Sequence, residues 1–117
     1  MTKALLKMIV ACLVVTSLAS GTAFAQGFFR SGRVLGYDTD VWRVWVPEGQ
    51  VEVIVDAGTQ TDVDLFVYKP GTRQPIVQDT DSTSYCVGDF YALHSGWIEI
   101  HVENLGRLPN AYILSVE

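Results

Sequence analysis

From residue 27 onward, apolar and polar residues alternate with a period of two, in short runs separated by Pro, Gly and Asp. Side chains two positions apart project from the same face of a strand, whereas a helical face repeats every 3.6 residues. No stretch beyond Gln26 sustains the helical spacing. In Val41 to Val46, the residues Trp42, Val44 and Val46 share one face, and Arg43 and Trp45 point the other way. Val51, Val53 and Val55 form a second apolar face. Pro47-Glu48-Gly49 supplies turn chemistry between these runs, which predicts that the two strands pair as a hairpin. Val63 to Tyr68 buries Val63, Leu65 and Val67, because facing Asp64 inward without a partner would be costly. Gln74 to Gln78, Tyr85 to Leu93, Trp97 to Glu103 and Ala111 to Val116 complete the expected strands, with Arg33 to Tyr37 as an eighth candidate. Asp79 to Ser84 reads as a polar loop, and Gly88 weakens the strand that contains it. Six to eight short antiparallel strands with no helix predict an all-β sandwich of jelly-roll type.

The first 25 residues read differently. Lys3 and Lys7 precede an apolar run from Met8 to Val15, and Ala23-Phe24-Ala25 closes the segment. A basic start, a short apolar centre and small residues at a cleavage point are the parts of a secretory signal peptide. The run is shorter than the roughly 20 apolar residues a spanning helix needs. A competing reading takes Ile9-Val10-Ala11-Cys12 as a lipobox with a lipidated Cys12, although the apolar run continues past it. Cleavage after Ala25 leaves residues 26–117 as one β-sandwich domain, secreted or periplasmic and not inserted in the membrane. That part holds all 13 acidic side chains and six of the eight basic ones, a formal charge of −7. A nucleic-acid partner would call for a basic stripe, and none is present. Cys86 is then the sole cysteine, which forbids an internal disulfide and leaves either a buried apolar role or a reactive thiol.

Several segments together resemble the bacterial pre-peptidase C-terminal domain family. Asp40-Val41-Trp42-Arg43-Val44-Trp45-Val46-Pro47-Glu48-Gly49 is similar to its opening strand and turn, and Val51 to Val55 to its second strand. Asp62-Val63-Asp64-Leu65-Phe66-Val67-Tyr68 resembles its Asp-x-Asp-Leu strand, and Gly96 to Val102 followed by Ala111 to Val116 resembles its ending. Trp97 directly after Gly96 departs from the family's Gly-x-Tyr. The resemblance covers residues 33–117 and implies a non-catalytic jelly-roll sandwich. Such domains usually follow secreted proteases, and those of clostridial collagenases bind collagen and calcium. Standing apart from a protease, this copy is expected to bind an extracellular or envelope polymer, protein or polysaccharide. The alternative is an accessory subunit docking onto an exported enzyme or envelope protein.

Three Asp-x-Asp pairs, Asp38/Asp40, Asp62/Asp64 and Asp79/Asp81, are the candidates for cation chemistry. Calcium takes 6–8 oxygen ligands, and residues two apart on a strand can converge on one ion. None of the pairs opens an EF-hand loop, because the required Gly is absent each time. In calcium-binding relatives the ligands lie before the first core strand and in a neighbouring loop, which makes Asp38, Asp40, Asp62 and Asp64 the expected calcium set. The competing reading has these carboxylates capping turns. No cofactor is required on either reading. Glu99, His101 and Glu103 share a strand face, as any solvent-facing strand surface would provide. Cys86, Ser95, His94 and His101 supply nucleophile and base types without a motif that joins them, so no enzymatic activity is expected. The outward aromatics Trp45, Phe66, Tyr68 and Trp97 are the candidate binding surface, unless loops or Gly27-Phe28-Phe29 cover them.

Overall fold

The computed structural model describes residues 27–117. The signal-peptide reading of Met1 to Ala25 and the lipobox reading at Cys12 lie outside the described residues. Eight strands run in the order β1 Phe28–Val34, β2 Thr39–Val46, β3 Gly49–Ala57, β4 Val63–Tyr68, β5 Val77–Asp79, β6 Tyr85–Ala92, β7 Gly96–Asn104 and β8 Asn110–Val116. They form two four-stranded sheets, β1-β8-β3-β6 and β2-β7-β4-β5, antiparallel throughout. Two such sheets with interleaved strand order make the jelly-roll sandwich the alternation predicts. Among the described residues no helix is long and apolar enough to cross a membrane.

The expected hairpin between β2 and β3 does not form. The two strands lie in different sheets, with β2 paired to β7 and β3 to β6 and β8. Trp42, Val44 and Val46 of one strand and Val51, Val53 and Val55 of the other are all buried. In a hairpin those two faces would lie side by side and still need a cover. Arched across the sandwich, they contribute to the two opposing walls of one core. Gly49 permits the reversal with a φ of 128°, a region closed to most side chains.

Two strand boundaries also differ from expectation. The first strand is Phe28–Val34 rather than Arg33 to Tyr37, and residues 35–37 form a turn in which Tyr37 has φ 55°. Only Phe28 and Val34 of β1 are buried, too sparse an apolar set to mark a strand in the sequence. Its inner face instead holds Gly32, where a Cβ would lie 2.5 Å from the Tyr112 ring. The fifth strand begins after Pro75, at Val77, and takes in Asp79, expected in the polar loop that follows. Gly88 lies within β6 rather than interrupting it. A Cβ there would meet the Val77 side chain at 3.0 Å, so glycine is the residue that lets the two sheet edges close.

A polar network runs through the core between the sheets. The Trp42 indole Nε1–H donates to the Tyr112 hydroxyl at 2.7 Å, which donates in turn to Asp40 Oδ2 at 2.7 Å. Burial pushes the Tyr112 phenol well above its usual range, and the nearby Asp40 charge adds to this. Buried Asn104 donates to the carbonyls of Leu108, Leu35 and Val34, and buried Asn110 binds Gly58 and Thr61. These two amides lash together the loops at one end of the sandwich, satisfying backbone groups that water cannot reach.

Candidate binding surface

Strand alternation sends every second residue of β2, β7 and β4 away from the core, and the register aligns them in rungs. Trp45 lies opposite Trp97, Arg43 opposite Glu99 and then Tyr68, and Val41 opposite His101 and then Phe66. Three adjacent strands, β2 at the sheet edge and β7 and β4 inside it, thus present one surface of aromatic and charged side chains. Trp45 and Trp97 meet edge to face with centroids 5.5 Å apart, and Phe66 and Tyr68 stack at 6.3 Å. The Tyr68 ring lies 4.6 Å from the His101 ring, and the Arg43 guanidinium carbon is 5.7 Å from the Trp97 centroid. All four aromatics are half-buried, as flat rings leaning on one another should be. The described residues contain no third layer of secondary structure to cover them. Gly27-Phe28-Phe29 does not lie across the shelf. Phe28 is buried edge-on to Trp42 at 6.1 Å, Phe29 points to solvent, and Gly27 and Phe28 meet Trp45 only around a small cavity of about 50 Å³.

The four aspartates proposed for calcium divide between the two faces of this sheet. Asp40 shares the phase of Trp42 and is fully buried against Tyr112 on the core side. Asp38 uses Oδ1 to accept the Thr39 N–H at 2.8 Å, which is turn capping. Asp64 shares the phase of Phe66 and lies opposite Glu103 on the outer side. The backbone carbonyls of Asp38 and Asp62 accept the Asn104 and Leu105 N–H groups, so the four residues share one end of the sheet. They nevertheless do not converge. Among the described residues no group of three or more His, Cys, Asp or Glu is placed to hold a metal ion. Asp40 is thus engaged by Tyr112 on the core side and Asp38 by the Thr39 N–H, while Asp62 and Asp64 come together on the outer side.

On the outer side, Asp62 Oδ1 and Asp64 Oδ1 are buried without hydrogen-bond partners. Burial raises the Asp64 carboxyl to about 6, and the charges of Asp62, Glu103, Asp79 and Asp81 add to the rise. The third pair serves the fold. Asp79 Oδ2 accepts the Val87 N–H at 2.9 Å, joining β5 to β6 across the sheets, and Asp81 caps Thr83 at 2.9 and 2.7 Å.

The nucleophile candidates are not assembled. The Cys86 thiol is buried and donates to the Val63 carbonyl at 3.0 Å. Burial, with Asp79 and Asp81 nearby, pushes it up to about 12. A thiol held protonated and out of solvent has the buried apolar role rather than the reactive one. His94 and Ser95 occupy the exposed turn between β6 and β7, where Ser95 Oγ accepts the Glu48 N–H at 3.1 Å. His101 Nε2 sits 3.5 Å from Glu99 Oε1 on the shelf, and no third ligand joins them.

The sequence reading missed a second feature, a cavity of about 390 Å³ at the end of the sandwich beyond Trp97. Its walls come from both sheets, including Val46, Ile76, Phe90 and Ile98, with Lys69 and His94 in the lining. The local signal was the apolar run Phe90-Tyr91-Ala92-Leu93, which breaks the alternation at the end of β6.

An outward aromatic shelf on two four-stranded antiparallel sheets defines the class of jelly-roll β-sandwich modules. The model of the bacterial pre-peptidase C-terminal domain matches residues 38–104, more than half of the chain, and the protein belongs to that family. No curated protein matches the chain. Among solved structures, the pre-peptidase C-terminal domain of the Bacillus anthracis collagenase superposes with a TM-score of 0.66 at 17% identity, covering 78% of this chain and 89% of that one. The Yersinia pseudotuberculosis-derived mitogen gives 0.58 at 14% identity, over 77% and 83% of the two chains. The periplasmic inhibitor of g-type lysozyme from Aeromonas hydrophila gives 0.56 at 20% identity, over 78% and 86%. At these identities the likeness is one of fold.

Proposed function

We propose that the protein is an exported, non-catalytic binding module that takes an extracellular or envelope polymer on the shelf formed by Trp45, Trp97, Tyr68 and Phe66. The observation that carries this reading is the alignment of four outward aromatics with Arg43 and His101 on three adjacent strands, edge strand β2 and its neighbours β7 and β4. Trp45 and Trp97 rest partly on the core, yet all four rings keep exposed area on one face, and recognition surfaces are enriched in such residues. The Arg43 guanidinium beside Trp97 adds a donor fork, and Glu99 adds an acceptor on the same rung. Membership in the pre-peptidase C-terminal family, found beside secreted proteases, supports an extracellular or periplasmic setting, as does the likeness in fold to a periplasmic inhibitor.

The test is polymer retention. Purified protein is passed over insoluble collagen, chitin, cellulose and peptidoglycan, alongside the Trp45→Ala/Tyr68→Ala variant. Retention on one matrix that falls about tenfold or more in the variant supports the reading, since each buried aromatic contributes about 1 to 3 kcal/mol. Equal retention of both proteins on every matrix refutes it. A stable exported protein that co-purifies with both proteins instead would favour the accessory role.

A further inference from the structure

The cavity beyond Trp97 lies beside an unclosed sheet edge, and together they have the form of a second recognition element. β6 ends the sheet β1-β8-β3-β6, so one side of its backbone has no strand neighbour. The direction of its free groups follows from the hydrogen bonds. The Glu52 N–H bonds the Glu117 carbonyl on the β8 side, which sends the Val51, Val53 and Val55 N–H groups toward β6. Their partners Phe90, Gly88 and Cys86 must point back toward β3, so Val87, Asp89 and Tyr91 point outward. The outward Val87 N–H is taken by Asp79 Oδ2. β5 spans only Val77–Asp79, so it stops short of Asp89 and Tyr91.

Beside that open edge stands the cavity of about 390 Å³, large enough for a bulky side chain. Exposed apolar residues stand at the same place, with Ile76 41% and Leu93 73% accessible, while Tyr91 is in phase with Asp89 on the outer face of the sheet. The lining contains no carboxylate, although the described chain is strongly acidic, and it does contain Lys69 and His94. The nearest acid on β6 is Asp89, whose side chain lies on the opposite face, where it raises the Glu52 carboxyl second only to desolvation.

We propose that the β6 edge and this cavity bind an extended polypeptide by strand addition. The peptide pairs with the Asp89 and Tyr91 backbone, places an apolar side chain in the cavity, and sets a carboxylate on the same peptide face against Lys69. An edge with free N–H and C=O groups supplies backbone affinity, and a pocket for alternate side chains supplies selectivity. A polysaccharide offers neither the amide ladder nor a wholly apolar group to fill the walls. The inference rests on the reading that the protein binds a polymer and names polypeptide as its class.

The probes are three blocked peptides of alternating threonine. One has a central phenylalanine with a glutamate two positions later, one replaces the phenylalanine with glycine, and one replaces the glutamate with glutamine. Amide NMR shifts and hydrogen-exchange protection at Asp89 and Tyr91 are the readout, with Trp97 fluorescence as a second signal. The first peptide is expected to bind and protect both amides, and the glycine version to bind about tenfold or more weakly. Lys69→Gln should weaken the glutamate peptide and leave the glutamine peptide unchanged. Tyr91→Pro removes only an N–H that points away from β3, a position where an edge strand tolerates proline, and should abolish pairing; Tyr91→Val retains it.

Equal binding of all three peptides, or no change at Tyr91 at millimolar peptide, overturns the proposal. So does protection of Asp89 and Tyr91 that grows with protein concentration alone, which would make a second copy the occupant. Shifts confined to the Arg43 and Tyr68 rungs overturn it while leaving the shelf reading intact. Failure of the shelf reading is read separately, from matrix retention in the Trp45→Ala/Tyr68→Ala variant.

Discussion

Asp64→Asn is expected to stabilise the protein at neutral pH and to do nothing in acid. Asp64 is only 7% exposed, its Oδ1 has no hydrogen-bond partner, and Glu103 faces it directly across the β4–β7 pair. Burial strips the carboxylate of hydration, and the like charges of Asp62 and of Glu103 across the strand pair add repulsion. Both effects raise its folded-state pKa from 3.8 to about 6. The fold therefore holds the Asp64 proton more tightly than the unfolded chain does. The stability this gives is fully present below the unfolded value near 3.8 and is lost as the pH rises through about 6. Two pKa units correspond to about 3 kcal/mol. Asparagine never ionises, so at pH 8 the variant should be more stable by about 2 to 3 kcal/mol, or roughly 10 °C in a domain of this size. Melting curves of both proteins from pH 4 to pH 8, at low salt, give the difference directly. The gap should close toward pH 4 and shrink in high salt. A variant no more stable than wild type at pH 8, or a gap independent of pH, would refute the reasoning.

Tyr112→Phe removes the hydroxyl that joins Trp42 to Asp40 and should lower the stability read from urea midpoints by about 2 to 3 kcal/mol; a loss under about 1 kcal/mol would mean the bridge is weak. Cys86, pushed up to about 12 and buried, should resist iodoacetamide at pH 8 in the native protein and react fully in guanidinium. Because the four candidate aspartates face opposite sides of one sheet, millimolar calcium added to chelator-treated protein should leave the melting temperature unchanged. A rise that disappears in Asp64→Asn would refute that and place a cation beside Asp62 and Asp64.

Alternation made most of the sandwich legible, because the phase of a strand is written in adjacent residues. The same phase carried the aromatic surface, since opposing Trp45 to Val44 and Phe66 to Leu65 requires no knowledge of the fold. The Asp-x-Asp spacing grouped the four aspartates as one set, although strand phase puts Asp40 in step with Trp42 and Asp64 with Phe66. Pairing was not legible in this way. Pro47-Glu48-Gly49 can close a hairpin or an arch, and only the demand that two valine faces be covered decides between them. The end cavity was hidden for a similar reason, because Val46, Ile76 and Phe90 meet through contacts that no local window contains.

The arch between β2 and β3 is one of many. Of the consecutive strands, only β4 and β5 are neighbours in the same sheet; every other link stitches one layer to the other. The final two strands, β7 and β8, each occupy an interior place in their layer. A chain emerging from the ribosome amino end first thus cannot finish one layer until β7 arrives, or the other until β8 does. Loop closure over such distances slows folding and leaves nascent chains unstructured for longer. Removing β8 would split one layer into isolated ribbons, so deletion of Asn110–Val116 should abolish the native state rather than merely trim it.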